Sequence, residues 1–261
     1  MLGFSLGLNG RRKLGGLLPE TIALFARAAA EGFALPSAGC KAAINYDISQ
    51  QIASGIFGKS DRVFYLANDS GSINFGKVNA AAPLGDLGTV HGSLAFANKL
   101  GIRGNGTDAY FSTAFNPSSD LANYLLNSAH IYVSQYVVGG GRIVGQDGSG
   151  TDVTFIPNDT IGQRLNSNSN LADSANFGVT GTVGINRNNA TQVQFLTGGT
   201  ITTTDSNSNT VRNGDITILR DDTTYSDSGI SLVRIGSGLT EIQQALINTL
   251  DAAYMVKMAA L

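Results

Sequence analysis

From Arg62 onward the chain is a succession of short alternating runs separated by clusters of Gly, Asn, Ser, Thr and Asp. Successive side chains on a strand point to opposite faces, so a run with every second residue apolar can bury one face in a core. The clearest runs are "RVFYLA" (62 to 67), "AHIYVSQYVV" (129 to 138), "RIVGQ" (142 to 146), "DVTFIP" (152 to 157), "GTVGINR" (181 to 187), "TQVQFL" (191 to 196), "DITILRD" (215 to 221) and "SLVRIG" (231 to 236). Short strands at this spacing predict a sandwich or barrel. With 33 glycines, 42% hydrophobic and 14% charged residues, the chain is rich in turns yet too apolar for general disorder.

Two stretches carry a helical period instead. From Pro19, Ile22, Phe25, Ala26 and Ala29 share one face, with proline at the first turn and Gly32 as the stop. A second helix starts near Ser37, where Cys40, Ile44, Ile48, Ile52 and Ile56 recur every four residues and stack into a stripe. At the other end, Thr240 and Gln243 match a capping box ahead of the stripe Ile242, Leu246, Ile247 and Leu250. The expected organisation is an extended arm over 1 to 16, a helical lead-in over 17 to 60, and a sandwich with a closing helix over 61 to 261. In the arm, Phe4, Leu6 and Leu8 alternate with small or polar residues. That pattern suits an edge strand of the chain's own domain or an arm added to a partner's sheet edge.

Charge and cysteine content exclude several classes of function. A net charge of −2 with scattered basic residues offers no footprint for a phosphate backbone, so no nucleic-acid partner is expected. The single cysteine excludes an internal disulfide and a cysteine-based zinc cluster. No apolar run approaches the roughly 20 residues of a membrane-spanning helix, and "MLGFSLGLNGRRKLGG" puts its apolar residues before its basic ones, the reverse of a secretory signal.

Catalytic chemistry needs a nucleophile with a base in reach, or a proton carrier of suitable pKa. His91 and His130 are the only histidines, lie outside any metal-binding pair, and read as structural. No serine sits in a G-x-S-x-G elbow, and Glu20, Glu31 and Glu241 fall in helices rather than as paired carboxylates on a strand. Asp147 with Asp152, and Asp221, Asp222 and Asp227, are the densest oxygen clusters, and both read as Asx-rich turns rather than calcium loops. No catalytic residue, metal ligand or cofactor is therefore expected. The glycines of "GIRGNGTDAYFSTAFNP" (101 to 117) precede an alternating run rather than a helix, and Asn105-Gly106 suits a two-residue hairpin turn.

The ordered series "GNGTDAYFSTAFNPSS", "NSAHIYVSQYV", "INRNNATQVQFLTGGT" and "ISLVRIGSGLTEIQQALINTLDAAY", over roughly residues 60 to 258, resembles tailed-bacteriophage virion structural proteins. The helical lead-in and the short leader "MLGFSLGLNGRR" resemble the same group. The resemblance implies a concanavalin A-like jelly-roll sandwich on a virion, as a capsid decoration, head fibre or tail component. It would be held to other virion proteins through the arm at Phe4, Leu6 and Leu8, and would assemble as a homo-oligomer. The alternative is a glycan-binding module for attachment to a host surface, in which Tyr110, Tyr132 and Tyr136 stack on sugar rings.

Overall fold

The computed structural model describes residues 16–120, 122–147, 153–157, 163–167 and 176–261, so Phe4, Leu6 and Leu8 lie outside the described residues. Helices α1 (Pro19–Ala30) and α2 (Ala38–Ala53) come first. Strands β1 (Ser60–Tyr65), β2 (Thr89–His91), β3 (Ala95–Ala97), β4 (Gly101–Arg103), β5 (Tyr110–Ser112), β6 (Ala129–Val137), β7 (Val144–Gln146), β8 (Val153–Thr154) and β9 (Arg164–Leu165) follow. Then come β10 (Gly181–Arg187), β11 (Gln192–Thr197), β12 (Thr200–Asp205), β13 (Ile216–Ile218), β14 (Arg220–Asp221), β15 (Thr224–Tyr225) and β16 (Gly229–Gly236), and α3 (Glu241–Ala259) closes the chain. No helix among the described residues is long and apolar enough to cross a membrane.

The protein is a mainly antiparallel β-sandwich. Its large sheet runs β12-β11-β10-β6-β16-β4-β3, with β1 also paired to β16, and its small sheet runs β2-β5-β13-β7. On the side of β16 away from β6, β1 pairs with Leu232–Gly236 and β4 with Gly229 and Ile230, so two strands lie end to end along one neighbour. The core between the sheets holds Phe64, Ile102, Ile131, Val133, Val183, Ile185, Val233 and Ile235 of the large sheet against Phe111, Val144, Ile216 and Ile218 of the small one. Phe64 and Phe111 meet edge to face with centroids 5.2 Å apart, the preferred geometry for ring quadrupoles.

The three helices cover the other face of the large sheet. Leu24, Phe25, Ile44 and Ile48 pack on Val63, Tyr65 and Leu232, while Ile247 packs on Tyr132 and Leu196. The second face of β6, expected as a further amphipathic surface, is therefore an interior one: His130, Tyr132 and Ser134 are buried. On α1 the buried face is Thr21, Leu24, Phe25 and Ala28, not the expected Ile22, Ala26 and Ala29. Thr21 sets that rotation, since its hydroxyl donates to Asn45 Oδ1 on α2 at 3.0 Å. On α2, Cys40, Ile44 and Ile48 are buried as expected, and burial pushes the Cys40 thiol up to about 12, as suits an inert packing residue. The capping box of α3 forms between Thr240 and Gln243, whereas Ile242 points to solvent at 82% exposure.

The Asn105-Gly106 turn differs from the expected hairpin. Asn105 Oδ1 accepts the backbone amides of Thr107, Asp108 and Ala109 at 2.9, 3.1 and 3.1 Å. This Asx-type turn carries the chain from β4 in the large sheet to β5 in the small one, so it is a corner of the sandwich.

Candidate functional site

The outward face of the small sheet carries the densest exposed chemistry. His91 of β2 lies directly across from Tyr110 of β5, and their rings stack at 4.2 Å with only 4° between planes. On Tyr110 also sits the Arg220 guanidinium, 4.3 Å from the ring centroid. Two groups that close cannot share one side of a ring, so His91 and Arg220 cover opposite faces of Tyr110. Tyr225 extends the row, 6.1 Å from Tyr110 and 5.8 Å from Arg220. At one flank Arg220 Nη1 pairs with Asp147 Oδ1 at 3.0 Å, and its Nε donates to Asp222 O at 2.6 Å.

Below this row Ser112 Oγ donates to Asp215 Oδ2 at 3.2 Å. Burial pushes the Asp215 carboxyl above its ordinary range, the Ser112 hydroxyl opposes the shift, and Asp147 and Asp120 reinforce it. The face then passes into an open cleft of about 330 Å³ lined by Asp61, Arg62, Asp86, Phe115 and Asp120. Arg62 lies 4.8 Å over the Phe115 ring, pairs with Asp120 at 3.3 Å and donates to Ala114 O at 2.8 Å. Asp61, Asp86, Asp120, Asp147 and Asp215 outnumber Arg62 and Arg220 there, so the face is electronegative.

Arg220 and Tyr225 were hidden in the sequence because an aspartate-rich turn surrounds them. Leu219, between β13 and β14, is buried and adopts φ of 70°, a left-handed conformation that leucine rarely takes. It breaks the alternation of the strand, so β14 and β15 leave the sheet and bring Arg220 and Tyr225 over Tyr110. Periodicity carries no signal for such a break.

The three tyrosines expected to contact sugars separate. Tyr110 is half-buried with both ring faces covered, which leaves no open ring face for a sugar to stack on. Burial raises its pKa, with Arg220 opposing. Tyr132 is fully buried beneath α3, where its hydroxyl donates to Gln244 Oε1 at 2.9 Å, so it cannot meet a ligand while the helix is seated. Tyr136 is half-buried at the far end of β6, away from this face.

His130 is buried with Nδ1 donating to Ser237 O at 2.6 Å, which makes it a structural histidine as expected. The aspartates of the second turn cluster take separate partners: Asp221 Oδ2 accepts from Arg142 and Thr154, Asp227 Oδ1 accepts from Gly140 N, and Asp222 sits in the β14–β15 turn at φ of 51°. Asp152 lies outside the described residues. Among the described residues no group of three or more His, Cys, Asp or Glu could hold a metal ion.

No family model matches the chain, and no curated protein matches it. Among solved structures, a mutant of HCR/D aligns over 75% of this chain and 53% of its own at 9% identity, with a TM-score of 0.49. The binding domain of Botulinum Neurotoxin DC in complex with SialylT aligns over 75% of this chain and 52% of its own at 12% identity, with a TM-score of 0.46. Domain 4 of AbnA, a GH43 extracellular arabinanase from Geobacillus stearothermophilus in complex with arabinotriose, aligns over 74% of this chain and 98% of its own at 14% identity, with a TM-score of 0.38. The chain thus spans about half the length of the first two. Likeness at this level bears on neither ligand nor site, and none of the three is described as a virion protein.

Proposed function

We propose that this chain is a non-catalytic glycan-binding β-sandwich whose site is the outward face of the small sheet. The observation that carries the reading is the row His91, Tyr110, Arg220 and Tyr225, whose polar edges are fixed by mutual stacking and by the Arg220–Asp147 pair. A hydroxyl-rich ligand is recognised by donors and acceptors held in place before it arrives, because immobilising them on binding costs affinity. Through Ser112 and Asp215 the row continues to the cleft at Arg62 and Asp120, which suits an oligosaccharide more than a single sugar. The carboxylate excess favours uncharged or amino sugars over uronic or sialic acids.

An array of neutral, amino and acidic glycans tests this. Binding should fall on the neutral and amino sets. Replacing Tyr110→Phe removes one hydroxyl and should weaken the best hit roughly two- to tenfold, the equivalent of about 0.5–1.5 kcal/mol. Tyr110→Ala should weaken it further, because His91 and Arg220 lose their shared support. Absence of binding across the array, or an unchanged affinity in Tyr110→Ala, overturns the reading.

The ordered sequence series favours a setting for such a module: a structural protein of a virion, attached through residues 1 to 16 and repeated as a homo-oligomer. Immunogold labelling of purified particles should place the chain in symmetric copies on a shell, collar or tail. Particles without the chain refute that setting and leave the glycan site untouched.

A further inference from the structure

On the opposite side of the large sheet from the glycan face, α3 does not seat fully on β6. Its middle, from Asn248 to Met255, leaves a cavity of about 200 Å³ over β6, β10 and β16. Tyr136, Ala252 and Met255 supply apolar wall, Ser134 and Asn248 supply polar groups, and none of the described lining residues is charged. The cavity owes its shape partly to Gly229, since a Cβ there would fall 2.5 Å from the Tyr136 ring. Any side chain at this position would push the ring off the sheet.

Among the described residues, three polar groups at this cavity find no hydrogen-bond partner. Ser134 is only 4% exposed, yet the described structure gives its hydroxyl no hydrogen bond, nor the Tyr136 hydroxyl or the Asn248 amide. Lining an open-mouthed cavity without a protein partner, these groups are free to bond water or a ligand. Nearby charge is already engaged elsewhere: Thr182 donates to Asp251 Oδ2 at 3.0 Å, and Asp251 is bound to Arg234. Hydrogen-bonding capacity, apolar wall and absence of charge therefore coincide in one half-open cavity.

We propose that this cavity is a second ligand site, which takes an uncharged, ring-sized molecule bearing a hydroxyl or amide group. An apolar cavity of about 150 Å³ already accepts benzene, so the volume suits one ring and excludes a chain of rings. Met255 adapts to the ring face through its flexible thioether, and Ser134, Tyr136 and Asn248 orient the polar substituent. The site is independent of the glycan face and stands whether or not that reading holds.

Phenol is the probe, with benzoate as its charged counterpart, added to the full chain and followed by backbone amide chemical shifts. Phenol should give saturable shifts at Ser134, Gly181 and Asn248, and benzoate should not. Ala252→Phe, at an exposed helix position, should fill the mouth and abolish the phenol shifts. Asn248→Ala retains a good helix former and should weaken phenol about three- to tenfold, one hydrogen bond's worth. If either variant fails to fold, the other decides. Linear, unsaturable phenol shifts, unchanged affinity in a folded variant, or equal binding of benzoate would each overturn the proposal.

Discussion

Toward the small sheet, strands β6, β10 and β16 present Ile131, Val133, Val183, Ile185, Val233 and Ile235; toward the helices, the same strands present His130, Tyr132, Thr182, Asn186 and Arg234. Both faces are buried, but only one has an apolar centre. On the sandwich side polar groups appear at the strand ends, where Gln135 donates to Phe177 O and the Arg187 guanidinium is caged by Leu165 O and Ser206 O. On the helix side a charge network lies at the centre. Arg234 binds Asp251 Oδ1 of α3 through Nε and Nη2 at 2.9 and 2.5 Å, and Asp47 of α2 through Nη2 at 3.1 Å. Tyr65 and Gln51 donate to Asp47 Oδ2, and Thr182 donates to Asp251 Oδ2.

The difference concerns specificity. Apolar contact is non-directional and leaves two surfaces free to slide, whereas a guanidinium shared by two carboxylates fixes where each helix sits. Desolvating three charges offsets most of their attraction, so the network positions the helices more than it stabilises them. Removing only the cation should therefore have the largest effect. Arg234→Met leaves Asp47 and Asp251 buried without a partner and should cost about 3–5 kcal/mol in urea unfolding. Replacing Asp47 and Asp251 by leucine in the same chain should recover most of that loss, since a packed apolar cluster then stands in for the ions. A single-variant loss under about 1 kcal/mol would mean that apolar contact alone seats the helices.

This contrast also marks the limit of what the sequence makes legible. The strands of the sandwich follow from alternation: the run 181 to 187 is β10, and β6 and β16 lie within two residues of the runs at 129 and 231. The helices follow from their caps, with Thr240 and Ser37 accepting amides as N-cap residues should, but the stripes of α1 and α3 misplace part of the buried face. The missed features are those in which periodicity is silent. A strand buried on both faces still alternates, so Tyr132 reads as exposed until α3 is known to lie over it. The Tyr110 row depends on a positive φ at Leu219, and the assembly of Asp47, Arg234 and Asp251 spans 204 residues of chain with no local pattern. Alternation encodes which residues share a face; it does not encode what covers that face.

His130 sharpens the comparison through pH, because the helix-side face is also where the deeply buried titratable groups of β6 and β16 lie. Burial, more than the neighbouring charges of Arg234 and Lys59, lowers its pKa to about 4 from the ordinary 6.5, while the bond to Ser237 O opposes the shift. Between those values the unfolded chain binds a proton that the folded chain refuses. The stability His130 confers is thus complete above about pH 6.5 and declines as pH falls toward 4, by roughly 3 kcal/mol in all. Asp251 acts in the opposite sense: burial raises its carboxyl above 3.8, so its contribution is lost as pH rises through that range. His130→Gln can still donate to Ser237 O and does not titrate. Urea midpoints measured from pH 7 to 4 should fall less steeply in this variant than in the natural chain. Equal slopes would show that His130 gains its proton without disturbing the helix-side face.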